Sequence, residues 1–179
     1  MNDNNLFIVL IAIIKAGLDN EGLHDVEVLQ GYQPTQQGTP EQKAVFLHKL
    51  PSRRYGSPKQ TDEFDEKSGV FKTTETFIRL TKIQIQTRVQ IDPSDINALT
   101  SSDLADTVAD ILNFSSTRTE LLSEGIGIER ITDVQNVYEI NEKDRFEGIP
   151  SFDVTLNYEK TYSSTTPAVA RSVRNIHRI

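Results

Sequence analysis

Residues Val70–Ile91 form one long β-prone stretch, rich in Thr, Ile, Val and Phe, and its length limits what the rest of the chain can build. At about 3.3 Å per residue it extends roughly 70 Å, whereas a compact chain of this size has a radius of gyration of ~16 Å. The stretch must therefore bend, break or project. Its second half alternates cleanly, with Ile83, Ile85, Val89 and Ile91 on one face and Lys82, Gln84, Gln86, Arg88 and Gln90 on the other, so one face is wet. In the first half Phe77 falls on one side and Ile78 and Leu80 on the other, which predicts a bulge or a change of covered face near Arg79–Lys82.

Other segments supply partners for it. Phe152–Tyr162 is the clearest strand: Phe152, Val154, Leu156, Tyr158 and Tyr162 alternate with polar residues, predicting a half-buried antiparallel strand. Ala44–Leu50 reads as a strand stopped by Pro51, substantially buried on both faces. Ser52–Gly69 mixes Arg53, Arg54, Lys59 and Lys67 with Asp62, Glu63, Asp65 and Glu66, is punctuated by Gly56, Pro58 and Gly69, and reads as a long exposed loop. Leu23–Gln30 is a short element, Gly31–Pro40 an ordered connection, and Ile128–Val134 a further strand released by Gly125 and Gly127.

The apolar run Leu6–Ile14 predicts a helix capped by Asn4 or Asn5 and closed by Lys15 and Gly17. Apolar on every side, it must be covered by sheet, helices or a neighbouring subunit. Asp92-Pro93-Ser94-Asp95 starts a short helical turn reaching Leu99, and Ser101 or Ser102 caps a helix through Asn113 with Leu104, Val108, Ile111 and Leu112 as its apolar stripe. A weaker helical segment covers Thr117–Ser123. No repeat is present, and the order helix, strands, helices, strands indicates one α+β domain over residues 1–162. It is built on a mostly antiparallel β-sheet flanked by helices, with a long β-hairpin or extended strand, followed by a basic C-terminal tail or arm over residues 163–179.

Charge narrows the chemistry. Lys and Arg number 19 against 26 Asp and Glu, a net charge of −7 that argues against affinity gained by neutralising phosphates. The tail carries Arg171, Arg174 and Arg178 and no acid, so opposite signs meet in one polypeptide. Without Cys there is neither a disulfide framework nor a thiolate metal site, and His24, His48 and His177 stand in no recognised metal spacing, so no cofactor is expected. His48, on a strand beside apolar residues, reads as a structural or solvent-rimmed histidine. No serine occupies a nucleophile elbow, Gly125-Ile126-Gly127 is no phosphate loop, and the carboxylates of 62–66 and 142–147 read as solvated charge. The run Leu6–Ile14 is about half the roughly 20 residues a membrane helix needs, and the preceding MNDNN lacks a signal peptide's positive charge, so a cytoplasmic start is expected. Arg53-Arg54-Tyr55, two guanidinium groups beside a ring, suits docking on a partner's carboxylates.

The ordered patches LQGYQPTQQGTP, AVFLHKLPSRRYGSPK, TETFIRLTKIQIQ, DLADTVADILN and GIGIERITDVQNVYEINEKDRFEGIPSFDVTLNY span residues 23–160. In this series the chain resembles the neck or tail-terminator (tail completion) proteins of contractile-tailed bacteriophages. The resemblance implies a structural, non-enzymatic virion protein. It would form a homo-oligomeric, hexameric ring at the end of the tail tube, meeting the tube, the sheath and the head-connector or collar proteins, with genomic DNA passing through unbound. It implies a place in the virion at the head–tail junction, in the host cytoplasm during assembly, and no membrane. The candidate contact residues are Arg53, Arg54, Tyr55 and Lys59, Phe77 and Arg79 in the long stretch, and Arg171, Arg174 and Arg178 in the tail. Another tail-end subunit, of the completion or baseplate kind, differs in its neighbours more than in fold. A small metal-dependent hydrolase using loop carboxylates would instead be a monomer with one concave pocket.

Overall fold

The computed structural model describes residues 2–31, 43–90, 97–140 and 146–168, with backbone alone at 137–140 and 146–147. Helix α1 (Asp3–Asn20) leads to β1 (Glu27–Gln30), β2 (Lys43–Asp65) and β3 (Val70–Val89). Then come α2 (Ser101–Asn113), α3 (Ser115–Ser123), β4 (Ile126–Ile131), β5 (Gln135–Ile140) and β6 (Phe146–Pro167). The sheet has six strands in the order β1-β2-β3-β6-β4, with β5 following β4 along the same edge of β6. Every pairing is antiparallel except β1 with β2. This is the α+β architecture expected.

The core lies between one face of the inner sheet and the helices. Ile83, Ile85 and Val89 of β3, Phe152, Val154, Leu156 and Tyr158 of β6, and Val45 and Leu47 of β2 are buried against Leu104, Val108, Ile111 and Leu112 of α2. Leu6, Leu10, Ile14 and Leu18 of α1 are fully buried in the same cluster, each removing apolar surface worth about 1.5–3 kcal/mol from water. Of the buried polar side chains, Thr81, Thr87 and Ser101 meet partners: Thr87 Oγ1 donates to Ser101 O (2.7 Å), Val89 N donates to Ser101 Oγ (2.9 Å), and Thr81 Oγ1 lies 3.3 Å from the Tyr158 hydroxyl. On the opposite face Phe46, His48, Leu50, Gln84 and Gln86 are only half-buried, so the inner sheet is covered chiefly on its helix side.

Several local expectations shift. Helix α1 starts one turn earlier, with the Asn2 side chain accepting from Asn5 N (2.8 Å). It does not close at Gly17. It ends at Gly22 (φ 79°), where Gly22 N donates to Asp19 O and Leu23 N to Leu18 O, a Schellman pair. Gly17 lies inside the helix because a Cβ there would come within 2.4 Å of Ile111 Cγ2, so it is a packing glycine. Nor is α1 covered all round, since Ile8 is 65% exposed. In α2 the cap is Thr100 rather than Ser101 or Ser102; its hydroxyl accepts from Asp103 N while Asp103 Oδ2 accepts from Thr100 N, a capping box. Strand β4 begins at Ile126 and passes through Gly127, where a Cβ would sit 2.4 Å from Asn157 Oδ1. The helical turn expected from Asp92 and the connection after Gly31 fall largely outside the described residues.

The largest correction concerns Ser52–Gly69. Pro51 does not stop the strand and the segment is not a loop: β2 continues to Asp65, paired residue by residue with β3. Pro51 falls at a bulge between Lys49 and Ser52, one of the few sheet positions where a missing N–H is tolerated. A second register shift between Tyr55 and Lys59 absorbs Gly56 and Pro58, so both breakers become insertions in one strand. The expected irregularity near Arg79–Lys82 is present, with its extra residue on β2 opposite Lys82, and the covered face changes at Leu80 and Thr81, both buried. The outer half of β3 projects from the body as the middle strand of a ribbon, between β2 and the far end of β6, which runs on to Pro167. From Leu80 to Val70 this arm is roughly 35 Å long.

Candidate interaction surface

The arm has no hydrophobic core of its own. Outside its root its residues are exposed or half-buried, and its order comes from backbone ladders and cross-strand pairs. Opposite Phe64 stands Phe71, with ring centroids 4.9 Å apart. Further in, Arg54 Cζ lies 4.8 Å from the Phe77 ring centroid, Phe77 meets Tyr162 edge to face at 5.9 Å, and Lys160 Nζ lies 5.5 Å from the Tyr162 ring centroid. Such pairs contribute about 0.5–1 kcal/mol each on an exposed ribbon. Hydroxyl pairs Thr74–Ser163 (3.4 Å) and Thr76–Thr161 (3.3 Å) continue the ladder between β3 and β6.

Register divides the predicted contact residues between two faces. Arg54 and Arg79 are directly opposed and share a face with Phe77, while Arg53, Tyr55 and Lys59 lie on the other with Ile78 and Leu80. Arg79 Nη1 donates to Ser52 Oγ at 3.3 Å, so this guanidinium is anchored to the root of the arm. Arg171, Arg174 and Arg178 lie outside the described residues. Charge is also divided along the arm. Arg53, Arg54, Lys59 and Arg79 gather towards the root, whereas Asp62, Glu63, Asp65 and Glu66 gather at the tip around Lys67 and Lys72. The tip turn is tied by Asp65, which accepts from Ser68 Oγ (2.6 Å) and Lys67 N (3.0 Å); the Ser68 bond foremost holds its carboxyl below the usual carboxylate range.

Sequence reasoning missed Phe64, Phe71, Ile78 and the outward turn of Tyr162, which is 47% exposed rather than part of the core. The signal was present in the spacing of Phe64 and Phe71, which are symmetric about the Glu66–Gly69 turn, where Gly69 has φ 65°. Of the eight large hydrophobic residues exposed among the described residues, five (Tyr55, Phe64, Phe71, Ile78 and Tyr162) lie on the arm, which makes it the candidate contact surface. At its root an open groove of about 800 Å³ lies where β4 begins and the edge of β6 becomes free.

Elsewhere the structure offers little chemistry. His48 packs beside Phe46 and against Gly31, and partial burial lowers its imidazole pKa against a smaller opposing effect from Gln86, so it is neutral at pH 7. Among the described residues no three His, Asp or Glu side chains converge on a common point, and no described helix is long and apolar enough to cross a membrane.

The described residues thus form a helix-covered sheet that extends a bare three-stranded ribbon, dense in aromatic and charged side chains. Residues 5–168 match the family described as E217 gateway protein gp29, and the chain belongs to that family. Among solved structures the fold is similar to a PVC sheath/tube terminator of an extracellular contractile injection system, in its extended state. The TM-score is 0.52 at 9% identity, with all of this chain covered and 64% of that one. This chain thus spans under two thirds of the terminator's length. No curated protein matches the chain.

Proposed function

We propose that this protein terminates a contractile tail: copies close into a ring, six in number, that caps the tail tube and joins it to the head connector, leaving a channel for DNA. The observation that carries the proposal is the arm, whose outer edges on β2 and β6 pair with nothing among the described residues and whose aromatic rings Tyr55, Phe64, Phe71 and Tyr162 are 44–60% exposed. Long bare edges are aggregation hazards unless an assembly uses them. A repeated heterologous contact closes into a ring, and the basic root and acidic tip of each arm supply opposite signs with which to orient neighbouring copies. Arg53, Arg54, Tyr55, Lys59, Phe77 and Arg79 are the proposed contacts with neighbouring copies, sheath or connector.

The test is mass measurement and negative-stain imaging of the purified full-length protein, followed by immunolabelling of assembled particles. Rings, and label at the head-proximal end of the tail, are expected. Label at the baseplate would move the protein to the opposite end of the tail, and absence from particles would end the proposal.

A further inference from the structure

We infer that the basic C-terminal segment of one copy docks in the acid-rimmed groove at the root of the arm of a neighbouring copy. The groove is lined by apolar Ile78, Leu122 and Tyr158 and rimmed by Glu124, Glu129 and Glu159. Ile78 is 43% and Leu122 65% exposed. None of the three carboxylates has a basic partner among the described residues. The groove therefore presents an apolar floor and three carboxylates unpaired among the described residues, on the β4 and β6 side of a root whose β2 side carries Arg53, Arg54 and Lys59, and it suits a ligand that is apolar and cationic together.

The chain's own C-terminus has that composition. Val169, Val173, Ile176 and Ile179 recur at the spacing of one helical face, and Arg171, Arg174 and Arg178 recur on the opposite face at the same period. An apolar face laid in a groove is a common mode of peptide recognition, and the long arginine side chains can bend back from the far face to carboxylates at the rim. Three arginines meet three glutamates.

Reach decides which copy is served. The tail departs from the tip of the arm, where Ala168 N donates to Gly69 O (3.1 Å), while the groove lies at Tyr158 and Glu159 near the root. The way back along β6 from Pro167 to Glu159 is roughly 27 Å, which consumes about eight fully extended residues. Folded back on its own chain, the segment would have passed Arg171 and Arg174 before its end reached the groove. The arm instead carries the tail away from its own body, towards another. This inference rests on the assembly of copies proposed above and adds the contact that latches them.

The natural chain has no Cys, so introduced thiols are unique. Two full-length proteins of distinguishable mass, one carrying Leu122→Cys and the other Val173→Cys, are mixed, assembled and oxidised. A disulfide joining the two kinds of chain is expected. Glu124→Lys with Glu159→Lys should lower the cross-linked fraction about tenfold, and Arg171→Glu with Arg174→Glu on the tail partner should restore it. Leu122 is exposed, so its substitution leaves folding intact, which circular dichroism verifies. Assembled copies that give no inter-chain disulfide, or a doubly substituted chain that closes only on itself, would overturn this inference while leaving assembly standing. Chains that assemble neither in solution nor in particles would overturn the proposed function and this contact with it.

Discussion

At the scale of single residues, the positions that hold the body together are those where a side chain or its absence is dictated by a neighbour. Gly17 is one: Gly17→Ala drives a methyl into Ile111, itself 1% exposed and anchored in the α2 stripe, so α1 and α2 must separate. A loss of about 1–3 kcal/mol is expected, read as a lower urea midpoint with an unchanged m-value. Asp103 is another. Its hydrogen bonds from Thr100, the side-chain one foremost, lower its folded pKa, so the unfolded chain binds the proton more readily. The stabilisation is complete above the unfolded carboxylate value and is lost as pH falls through the lower folded value. Thr100→Ala should cost about 1 kcal/mol at pH 7 and flatten part of the acid limb of a stability–pH profile below about pH 4. The sequence made the α2 stripe legible because burial repeats with the helical period. It offered Ser101 or Ser102 as the cap and passed over Thr100, a hydroxyl residue like them, since only geometry says which one has left the helix. Gly17 was misread for a related reason: a glycine that ends a helix and a glycine that admits a neighbour are the same letter, and Ile111 is far away in sequence.

At the scale of elements, the arm separates what pattern reveals from what it hides. That the long stretch from Val70 must bend, break or project was implied by length alone, and the inner halves of β3 and β6 were legible because one face is buried and alternation records it. The outer half of β2 was not. A strand with both faces in water has no reason to alternate, and its Gly and Pro look like loop residues until the pairing shows them to be insertions opposite single residues of β3. The same physics predicts that the arm adds little to the stability of the body. Replacing the outer hairpin, residues 59–76, by a two-residue Asn-Gly turn should shift the thermal midpoint by about 3 °C or less, as expected for a change near 1 kcal/mol in a chain of this length. The variant should remain folded by circular dichroism yet fail to form the oligomer in native mass measurement. Retention of assembly without the hairpin would place the contacts at the root of the arm, where Arg53, Arg54, Tyr55, Phe77 and Arg79 remain, or on the body.

At the scale of the whole molecule, charge must serve two demands. In the proposed ring, copies need opposite signs to find one another, and a channel for DNA needs surfaces that do not hold phosphate. A ring of six copies at −7 each carries about −42, which repels a polyanion overall, yet each copy also carries three arginines on a tail free of acids. Left loose, those tails would grip DNA by releasing its counterions. Docked between Glu124, Glu129 and Glu159 of a neighbour, they are neutralised where they lie, and the latch and the unobstructed channel become one arrangement. Fluorescence anisotropy with a short duplex between 50 and 200 mM salt would test it, with non-specific affinity weaker than roughly 10⁻⁴ M expected for the assembled natural protein near physiological salt. The Glu124→Ala, Glu159→Ala variant should bind more tightly and with a steeper salt dependence, a log–log slope of about −2.7 for a tail engaging three phosphates. Equal, salt-insensitive weakness in both proteins would mean that the arginines are held elsewhere, and a steep slope already present in the natural ring would mean that nothing holds them at all.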